Sequence, residues 1–287
     1  NQEALVLKKQ VRYGHRKQVH ECSECGFIYL WPRETIEDNK EFYKRGFDKL
    51  PRNTMGLTPH DPAKIFSTRL SQANRRIEMI KPYLSKEKTL LEIGCSAGSF
   101  ITSVAPLVKK CAGVELNATF ANYIRERTRL TIHEESIENL DESIGPFDII
   151  CMWHVLEHIE DPIKAVKKLM SLLNPGGLLF IEVPNIADPL ISLFKIDEFS
   201  NFYYQSPHLY YFSQDTLIKT IIKAGGKVKT REIQIYGLLN HLHWVIYRRP
   251  QPNQAKQLNP VNIADVFYRK FLSVIHRTDT LFAVISK

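Results

Sequence analysis

The stretch that decides the fold covers residues 89–100 and reads TLLEIGCSAGSF. Its first five residues are mostly apolar, with the length and composition of a buried strand. Gly94 and Gly98 follow, and the residues after Ser99 suit a helix. Glycines let a turn approach a ligand closely, and a helix N-terminus directs N–H groups toward it. The stretch therefore predicts a strand, a ligand-binding turn and a helix.

Strands and helices are predicted to alternate on both sides of this stretch. The predicted strands cover residues 111–114, 131–132, 147–152, 178–183, 227–236 and 280–286; the predicted helices cover residues 66–84, 118–129, 163–173, 214–224 and 263–276. Ser213 is the expected N-cap of the helix over residues 214–224. Such alternation favours an α/β fold with a mostly parallel sheet covered by helices on both faces.

Other parts of the chain do not follow this alternation. Residues 1–60 are predicted to be an irregular N-terminal region, and residues 61–287 a single domain with an insertion at about 237–277. Residues 184–213 are aromatic-rich and also read as irregular. The chain begins with Asn1 rather than Met, which leaves open whether residues are missing upstream.

The composition is that of a globular protein, because 44% of the residues are hydrophobic and 24% are charged. No apolar run reaches the ~18 residues of a membrane span. Five scattered cysteines favour reduced thiols and a cytoplasmic location. The net charge of +8 lies in the last quarter of the chain. This basic quarter suits a nucleic acid, an anionic small molecule or an acidic partner, or is only a solvated surface.

Further motifs follow the later strands. Glu115 comes about 20 residues after the glycine turn, where an acid can accept the two hydroxyl groups of a ribose. Asp148 opens the strand over residues 147–152, and HVLEH follows at residues 154–158. In this order the motifs resemble class I S-adenosylmethionine-dependent methyltransferases, especially bacterial small-molecule enzymes that share HVLEH. The resemblance implies a Rossmann-like, seven-stranded sheet.

The resemblance also implies a cofactor site. The cofactor is S-adenosylmethionine, the product is S-adenosylhomocysteine, and the chemistry requires no metal. The implied contacts comprise Glu92, Gly94, Cys95, Ser96 and Gly98 for methionine and ribose, Glu115 for the ribose hydroxyls, Leu116, Ser136 and Ile137 for adenine, and Trp153 and His154 near the methyl group. Ser96 departs from the family pattern, because a glycine usually stands there.

Two segments resemble acceptor-binding stretches of sugar methyltransferases. Residues 208–213 resemble an EHxxYFS stretch, which implies His208 as a catalytic base and Tyr211 as a substrate contact. Pro207 replaces the acid of that stretch, and a structural role for His208 stays open. Residues 240–244, for which a strand edge with solvated histidines is the alternative, resemble an NHxxW stretch of methyltransferases in surface-polysaccharide pathways. It implies Asn240 and Trp244 as substrate contacts and His241 as the second candidate base.

Cys22 and Cys25 form one CxxC pair, which is half of a structural zinc site. Related sugar enzymes carry an N-terminal zinc module with two such pairs, and the second pair is missing here. We therefore expect no bound metal, with zinc on Cys22 and Cys25 as the weaker alternative.

The expected function is methyl transfer to a small polar metabolite, a hydroxyl of a sugar or nucleotide-linked precursor in surface-polysaccharide biosynthesis. An anionic acceptor would suit the basic quarter. Methylation of nucleic acid or protein, and a silent cofactor-binding scaffold, are the alternatives. No Asn-Pro-Pro-Tyr-type signature of base methylation follows the strand at 147–152, so we expect no nucleic-acid partner. Because no apolar run is long enough to span a bilayer, we expect no membrane partner either. The acceptor, the methylated atom and the oligomeric state stay open.

Overall fold

A computed structural model describes residues 4–12, 17–32, 61–251 and 263–287. The strands are β1 (Ala4–Lys8), β2 (Gln18–Cys22), β3 (Ile28–Trp31), β4 (Thr89–Ile93), β5 (Lys110–Val114), β6 (Thr131–His133), β7 (Phe147–Trp153), β8 (Leu173–Pro184), β9 (Tyr210–Tyr211), β10 (Lys227–Ile233) and β11 (Thr280–Ser286). The helices are α1 (Pro62–Ile80), α2 (Ser99–Val104), α3 (Ala118–Arg127), α4 (Pro162–Ser171), α5 (Pro189–Ser192), α6 (Asp197–Tyr203), α7 (Gln214–Lys223), α8 (Leu238–Tyr247) and α9 (Ile263–Val274).

The predicted α/β fold is confirmed. Seven strands form one sheet in the order β10-β11-β8-β7-β4-β5-β6. β4 pairs in parallel with β5 and with β7, and Ile93 at its end lies opposite Val114 and Met152. The carboxyl ends of these three strands therefore meet at one edge, where open parallel sheets bind their ligands.

The chain divides into two compact units. We call one the turn unit; it comprises residues 34–153, 164–180 and 285–287 and holds the glycine-rich turn. We call the other the histidine unit; it comprises residues 1–33, 154–163 and 181–284.

The turn unit depends on a glycine in β5. A Cβ atom at Gly113 would lie 2.3 Å from Sγ of Cys95 and 2.7 Å from Cδ1 of Ile101. Both neighbours are buried, so neither can give way easily. Gly113 thus lets β5 pack against the turn that follows β4.

We expect Gly113→Ala to lower the free energy of unfolding by about 1–3 kcal/mol, since it overpacks this contact. Urea unfolding measures the change. Truncating the neighbour in the double variant Gly113→Ala/Cys95→Ala should reduce the loss caused by the added methyl group. A Gly113→Ala protein as stable as the wild type would contradict the close packing.

The histidine unit contains a second sheet, with strand order β1-β2-β3-β9. β3 pairs antiparallel with β9, and Ile28 lies opposite Tyr211. The expectation that the N-terminal region is irregular was therefore wrong for its described residues. Residues 184–213 were also misjudged, because they contain α5, α6 and β9. Ser213 does cap α7, through a reciprocal capping box with Thr216.

Residues 240–244 belong to a helix, so the alternative of a strand edge with solvated histidines is wrong. α8 places Asn240, His241 and Trp244 on one buried face. Positions i, i+1 and i+4 share one side of a helix, whereas strand alternation would have separated them.

α9 has an unusual distribution of side chains. Five large apolar side chains of this helix are exposed: Ile263, Val266, Phe267, Phe271 and Val274. Asp265 is buried instead, and it pairs with Nε of Arg269 at 2.9 Å. The apolar stripe of α9 therefore faces outward. Among the described helices, none is long and apolar enough to cross a bilayer.

Candidate active site

The glycine-rich turn after β4 uses three left-handed backbone positions. The φ angles are 74° at Gly94, 50° at Ser96 and 86° at Gly98. A Cβ atom at Gly98 would also lie 2.7 Å from the side chain of Ile124, so this position needs glycine. Ser96 keeps the left-handed conformation where the family usually has glycine.

Glu115 is held against this turn at the end of β5. Its carboxylate accepts hydrogen bonds from the N–H of Ser96 at 2.6 Å and of Asn117 at 2.8 Å. Burial raises the pKa of Glu115 above its ordinary value, although both N–H groups oppose the shift. A carboxylate has about four lone-pair positions, so it can accept further hydrogen bonds from hydroxyl groups.

Glu92, at the end of β4, is a buried acid. Burial raises the pKa of Glu92 well above its ordinary value, although the Arg76 guanidinium opposes the shift. Its Oε2 atom has no hydrogen-bond partner among the described residues. A buried polar atom of this kind needs a partner, which a bound ligand can supply.

The other predicted cofactor contacts of the turn unit differ in how far they are buried. Leu116 is partly exposed, Ile137 is buried, and the buried hydroxyl of Ser136 has no hydrogen-bond partner among the described residues. Cys95 is a buried thiol 3.4 Å from the carbonyl oxygen of Glu92. Burial raises the pKa of Cys95 well above its ordinary value, so the thiol is a packing group.

Trp153 lies in the core of the turn unit. Its ring makes an edge contact with Phe100, and the guanidinium of Arg76 lies 5.2 Å from the ring centre. This buried position does not support the predicted contact between the indole and a cofactor.

His154 directly follows β7 and is the first residue of a histidine–glutamate cluster. Its backbone has a φ of 55°, and its N–H donates to the carbonyl of Glu182. Its Nδ1 lies 3.4 Å from Oε1 of Glu157, and its Nε2 lies 3.2 Å from Oε1 of Glu182. Desolvation opposes protonation of the ring, but the two carboxylates raise the pKa of His154 above its ordinary value.

Glu157, His158 and His208 lie beside His154. One ligand atom from each lies within 4.8 Å of the others. Glu157 is 1% exposed, and neither of its oxygens has a well-formed hydrogen bond among the described residues. Burial alone would raise the pKa of Glu157, but the surrounding imidazoles lower it to about 2. Glu157 is therefore a buried anion.

His208 and His241 do not suit the predicted role of catalytic base. Burial and the neighbouring His158 lower the pKa of His208 to about 3, and burial lowers the pKa of His241 to about 4. Side chains with such values accept protons poorly near pH 7. His154 is half-buried and its pKa is raised, so it is the better candidate.

His241 makes stability sensitive to acid. Its pKa is about 4 in the folded chain and about 6.5 in an unfolded one, so unfolding takes up a proton between these values. The stability that this group contributes is complete above about pH 6.5 and is lost as the pH falls to about 4. The full loss is on the order of 3 kcal/mol.

We expect His241→Gln to show a smaller loss of stability between pH 6.5 and pH 4 than the wild type. Urea unfolding at both pH values measures it. His243→Gln, a change of the same kind at an exposed position of α8, serves as control. Equal acid sensitivity in the wild type and His241→Gln would show that His241 does not titrate as described.

The predicted substrate contacts are core residues. Trp244 is 2% exposed and packs edge-on against Phe199. The hydroxyl of Tyr211 accepts from the N–H of Gln205 and donates to its carbonyl oxygen, inside the core of the smaller sheet. Asn240 is also buried. All three side chains are buried, and their contact with a substrate stays a prediction.

Cys22 and Cys25 lie at the hairpin between β2 and β3 as free thiols. Hydrogen bonds from the Cys25 and Glu24 backbone lower the pKa of Cys22. In the parts of the chain that the structure describes, no third metal-binding side chain joins the pair.

Sequence reasoning missed Glu157 and Glu182 as members of the cluster. A signal was present for both. Glu182 is an acid inside the apolar run of β8, and Glu157 is the acid of HVLEH. A buried acid needs a partner, which points to histidines nearby.

Comparisons with known proteins show which family the chain belongs to. Residues 66–229, over half of the chain, match the family described as "Methyltransferase domain". The ubiquinone biosynthesis O-methyltransferase of Coxiella burnetii (strain Dugway 5J108-111) is 29% identical over 116 residues, which cover 38% of this chain and 50% of that protein. The protein of the same name from Colwellia psychrerythraea is 26% identical over 106 residues, which cover 33% of this chain and 42% of that protein. The chain thus spans about half the length of the curated relatives it matches.

Solved structures share the fold. A SAM dependent methyltransferase from Archaeoglobus fulgidus has a TM-score of 0.54 at 16% identity, covering 79% of this chain and 100% of that one. Phosphoethanolamine N-methyltransferase 2 of Haemonchus contortus has a TM-score of 0.56 at 16% identity, and the match covers 91% of this chain and 62% of that one. The chain belongs to the methyltransferase domain family, and it has the fold of the class I S-adenosylmethionine-dependent methyltransferases.

Proposed function

We propose that this chain transfers a methyl group from S-adenosylmethionine to a hydroxyl group of a small polar molecule. The observation that carries the proposal is the contact of Glu115 with the N–H of Ser96, which places a carboxylate beside the glycine-rich turn. Carboxylates at this position in related folds accept the hydroxyl groups of a ribose.

The residues present fit the cofactor. Glu115 would accept the ribose hydroxyls, and Glu92 and Ser136 have buried oxygens that need partners. Gly94 and Gly98 give the turn its left-handed backbone, and at Gly98 the missing side chain also makes way for Ile124. When bound, S-adenosylmethionine supplies a methyl group that its sulfonium already activates, so the chemistry needs no metal.

His154 is the proposed proton acceptor. A hydroxyl group is a weak nucleophile near pH 7 unless a base takes its proton. Glu157 and Glu182 flank the His154 ring at 3.4 and 3.2 Å, and they would stabilise the imidazolium that forms. Raising the pKa of His154 brings it closer to the range in which general bases are most effective.

For the acceptor we propose a sugar or nucleotide-linked sugar of surface-polysaccharide biosynthesis, methylated in the cytoplasm. The resemblance of residues 208–213 to sugar methyltransferases supports this class. The basic last quarter supports an anionic acceptor such as a nucleotide-linked sugar. The curated relatives, named as ubiquinone biosynthesis O-methyltransferases, support a small molecule over a nucleic acid.

Two measurements test the proposal. Titration calorimetry in the presence of a chelator should detect binding of S-adenosylmethionine and S-adenosylhomocysteine. Release of S-adenosylhomocysteine should then be followed with a panel of sugars and nucleotide-linked sugars. Absence of cofactor binding would refute the proposed function, and turnover with other acceptors alone would refute the proposed substrate class.

A further inference from the structure

Arg12 ties the N-terminal residues of the histidine unit to the segment that carries His208. The N–H of Arg12 donates to the carbonyl of Tyr204, and the N–H of Ser206 donates to the carbonyl of Arg12, both at 2.9 Å. The guanidinium also lies over the Phe202 ring, 4.1 Å from its centre. Arg12 is therefore held in place by both backbone and side-chain contacts.

The side chains of Arg12, Gln205 and His208 form a hydrogen-bond chain. Nη2 of Arg12 donates to Oε1 of Gln205 at 2.5 Å, across 193 residues of sequence. Nε2 of Gln205 lies 2.7 Å from Nε2 of His208. A guanidinium can only donate hydrogen bonds, so the amide oxygen must face Arg12 and the amide NH₂ must face His208.

This orientation determines the tautomer of His208. An amide NH₂ can only donate, so Nε2 of His208 must carry the lone pair. His208 is neutral near pH 7, because its pKa is about 3. Its one ring proton is then on Nδ1.

The surroundings agree with this tautomer. Nδ1 of His208 is buried and has no hydrogen-bond partner among the described residues. Neither Glu157 oxygen has a well-formed hydrogen bond there, although Nδ1 of His154 lies 3.4 Å from its Oε1. A ring nitrogen of His208 and a Glu157 oxygen lie within 4.8 Å of each other. Because Glu157 is an anion, a ring N–H of His208 in this cluster is favoured over a second lone pair.

We infer that Arg12, acting through Gln205, is a positioning residue that fixes His208 in the Nδ1–H tautomer, so that His208 is a hydrogen-bond donor in the cluster and not a base. The tautomer itself follows from the contacts alone. Its consequence for catalysis rests on the proposed function: His208 supports the Glu157 anion, and Glu157 supports His154.

Nuclear magnetic resonance of protein labelled with ¹⁵N-histidine tests the inference without an acceptor or cofactor. Long-range ¹H–¹⁵N spectra near pH 7 distinguish a protonated ring nitrogen from one that carries a lone pair. The His208→Asn variant identifies the signals that belong to His208. We expect the Nδ1–H pattern in the wild type, and the Nε2–H pattern would overturn the inference.

Substitutions at Gln205 and Arg12 are expected to change the tautomer of His208 in different ways. Gln205→Glu replaces the amide donor with a carboxylate that only accepts, so His208 should change to the Nε2–H pattern. Arg12→Lys keeps a donor and should retain Nδ1–H, whereas Arg12→Met frees the amide to turn and should give both patterns. If Gln205→Glu or Arg12→Met leaves the His208 signals unchanged, Arg12 does not act through Gln205.

Two further results distinguish the inference from a metal site and from the proposed function. If Zn²⁺ binds in a 1:1 ratio and removes the Nδ1–H signal, the cluster is a metal site and the inference is wrong. If the wild type shows Nδ1–H but binds no S-adenosylmethionine, the inference stands and the proposed function fails. Variants are compared only after their backbone amide spectra show the wild-type fold. The wild-type spectrum decides the tautomer even where a variant does not fold, and the folded variants decide whether Arg12 acts through Gln205.

Discussion

Replacing Glu115 with Ala is expected to weaken S-adenosylmethionine binding by about 5- to 150-fold, or about 1–3 kcal/mol. The variant removes the carboxylate proposed to accept the ribose hydroxyls. It also leaves the N–H groups of Ser96 and Asn117 without their acceptor, which loosens the glycine-rich turn. Titration calorimetry measures the affinity directly.

Two controls separate these contributions. Glu115→Gln keeps the size of the side chain and one acceptor oxygen but removes the charge, so its loss should be smaller. Glu126→Ala removes an acidic side chain from the exposed part of α3 and should leave affinity unchanged. Unchanged affinity in Glu115→Ala would exclude Glu115 from the cofactor site.

Replacing His154 with Asn is expected to lower turnover by ~10²- to 10⁴-fold, the usual contribution of a general acid–base group. Affinity for the cofactor should change less than turnover, because Glu115, proposed to accept the ribose hydroxyls, is left intact. Asn is the suitable substitute, since it tolerates the left-handed backbone of His154 better than most residues do. Turnover is measured as release of S-adenosylhomocysteine with an acceptor found by the panel.

His276→Asn is the matched control. His276 has the same φ of 55° and also pairs with a glutamate, Glu232, but its side chain is 76% exposed. Its replacement should leave turnover unchanged. Full activity of His154→Asn would mean that another group takes the proton, or that the acceptor needs no base. Loss of cofactor binding in His154→Asn would instead place His154 at the cofactor, as the resemblance implies, or in the support of that site.

The sheet and the glycine-rich turn could be predicted because their signals are local. The run of residues 89–93 is short and apolar, and Gly94 and Gly98 mark the turn that follows. Glu115 could be placed beside this turn because parallel strands bring their carboxyl ends together. The contact of Glu115 with Ser96 agrees with that expectation.

The acceptor-side residues could not be assigned in the same way. The sequence around His241 left a strand edge with solvated histidines as an alternative. The segment is instead a helix that buries Asn240, His241 and Trp244, with Trp244 packed against Phe199. The N-terminal strands gave no clear signal, because β3 completes its sheet with β9, which lies far along the chain. The choice of His154 over His208 depends on burial and nearby charge, which sequence alone does not specify.

The outward apolar stripe of α9 has a consequence for work with the purified chain. Exposed apolar patches promote self-association and adsorption, so solubility should fall at high concentration and in salts that strengthen hydrophobic contacts. The side chains of Phe267 and Phe271 are already mostly in solvent. Polar residues at these two positions should therefore improve expression and storage without weakening the fold, whereas the same change at buried Leu272 should not.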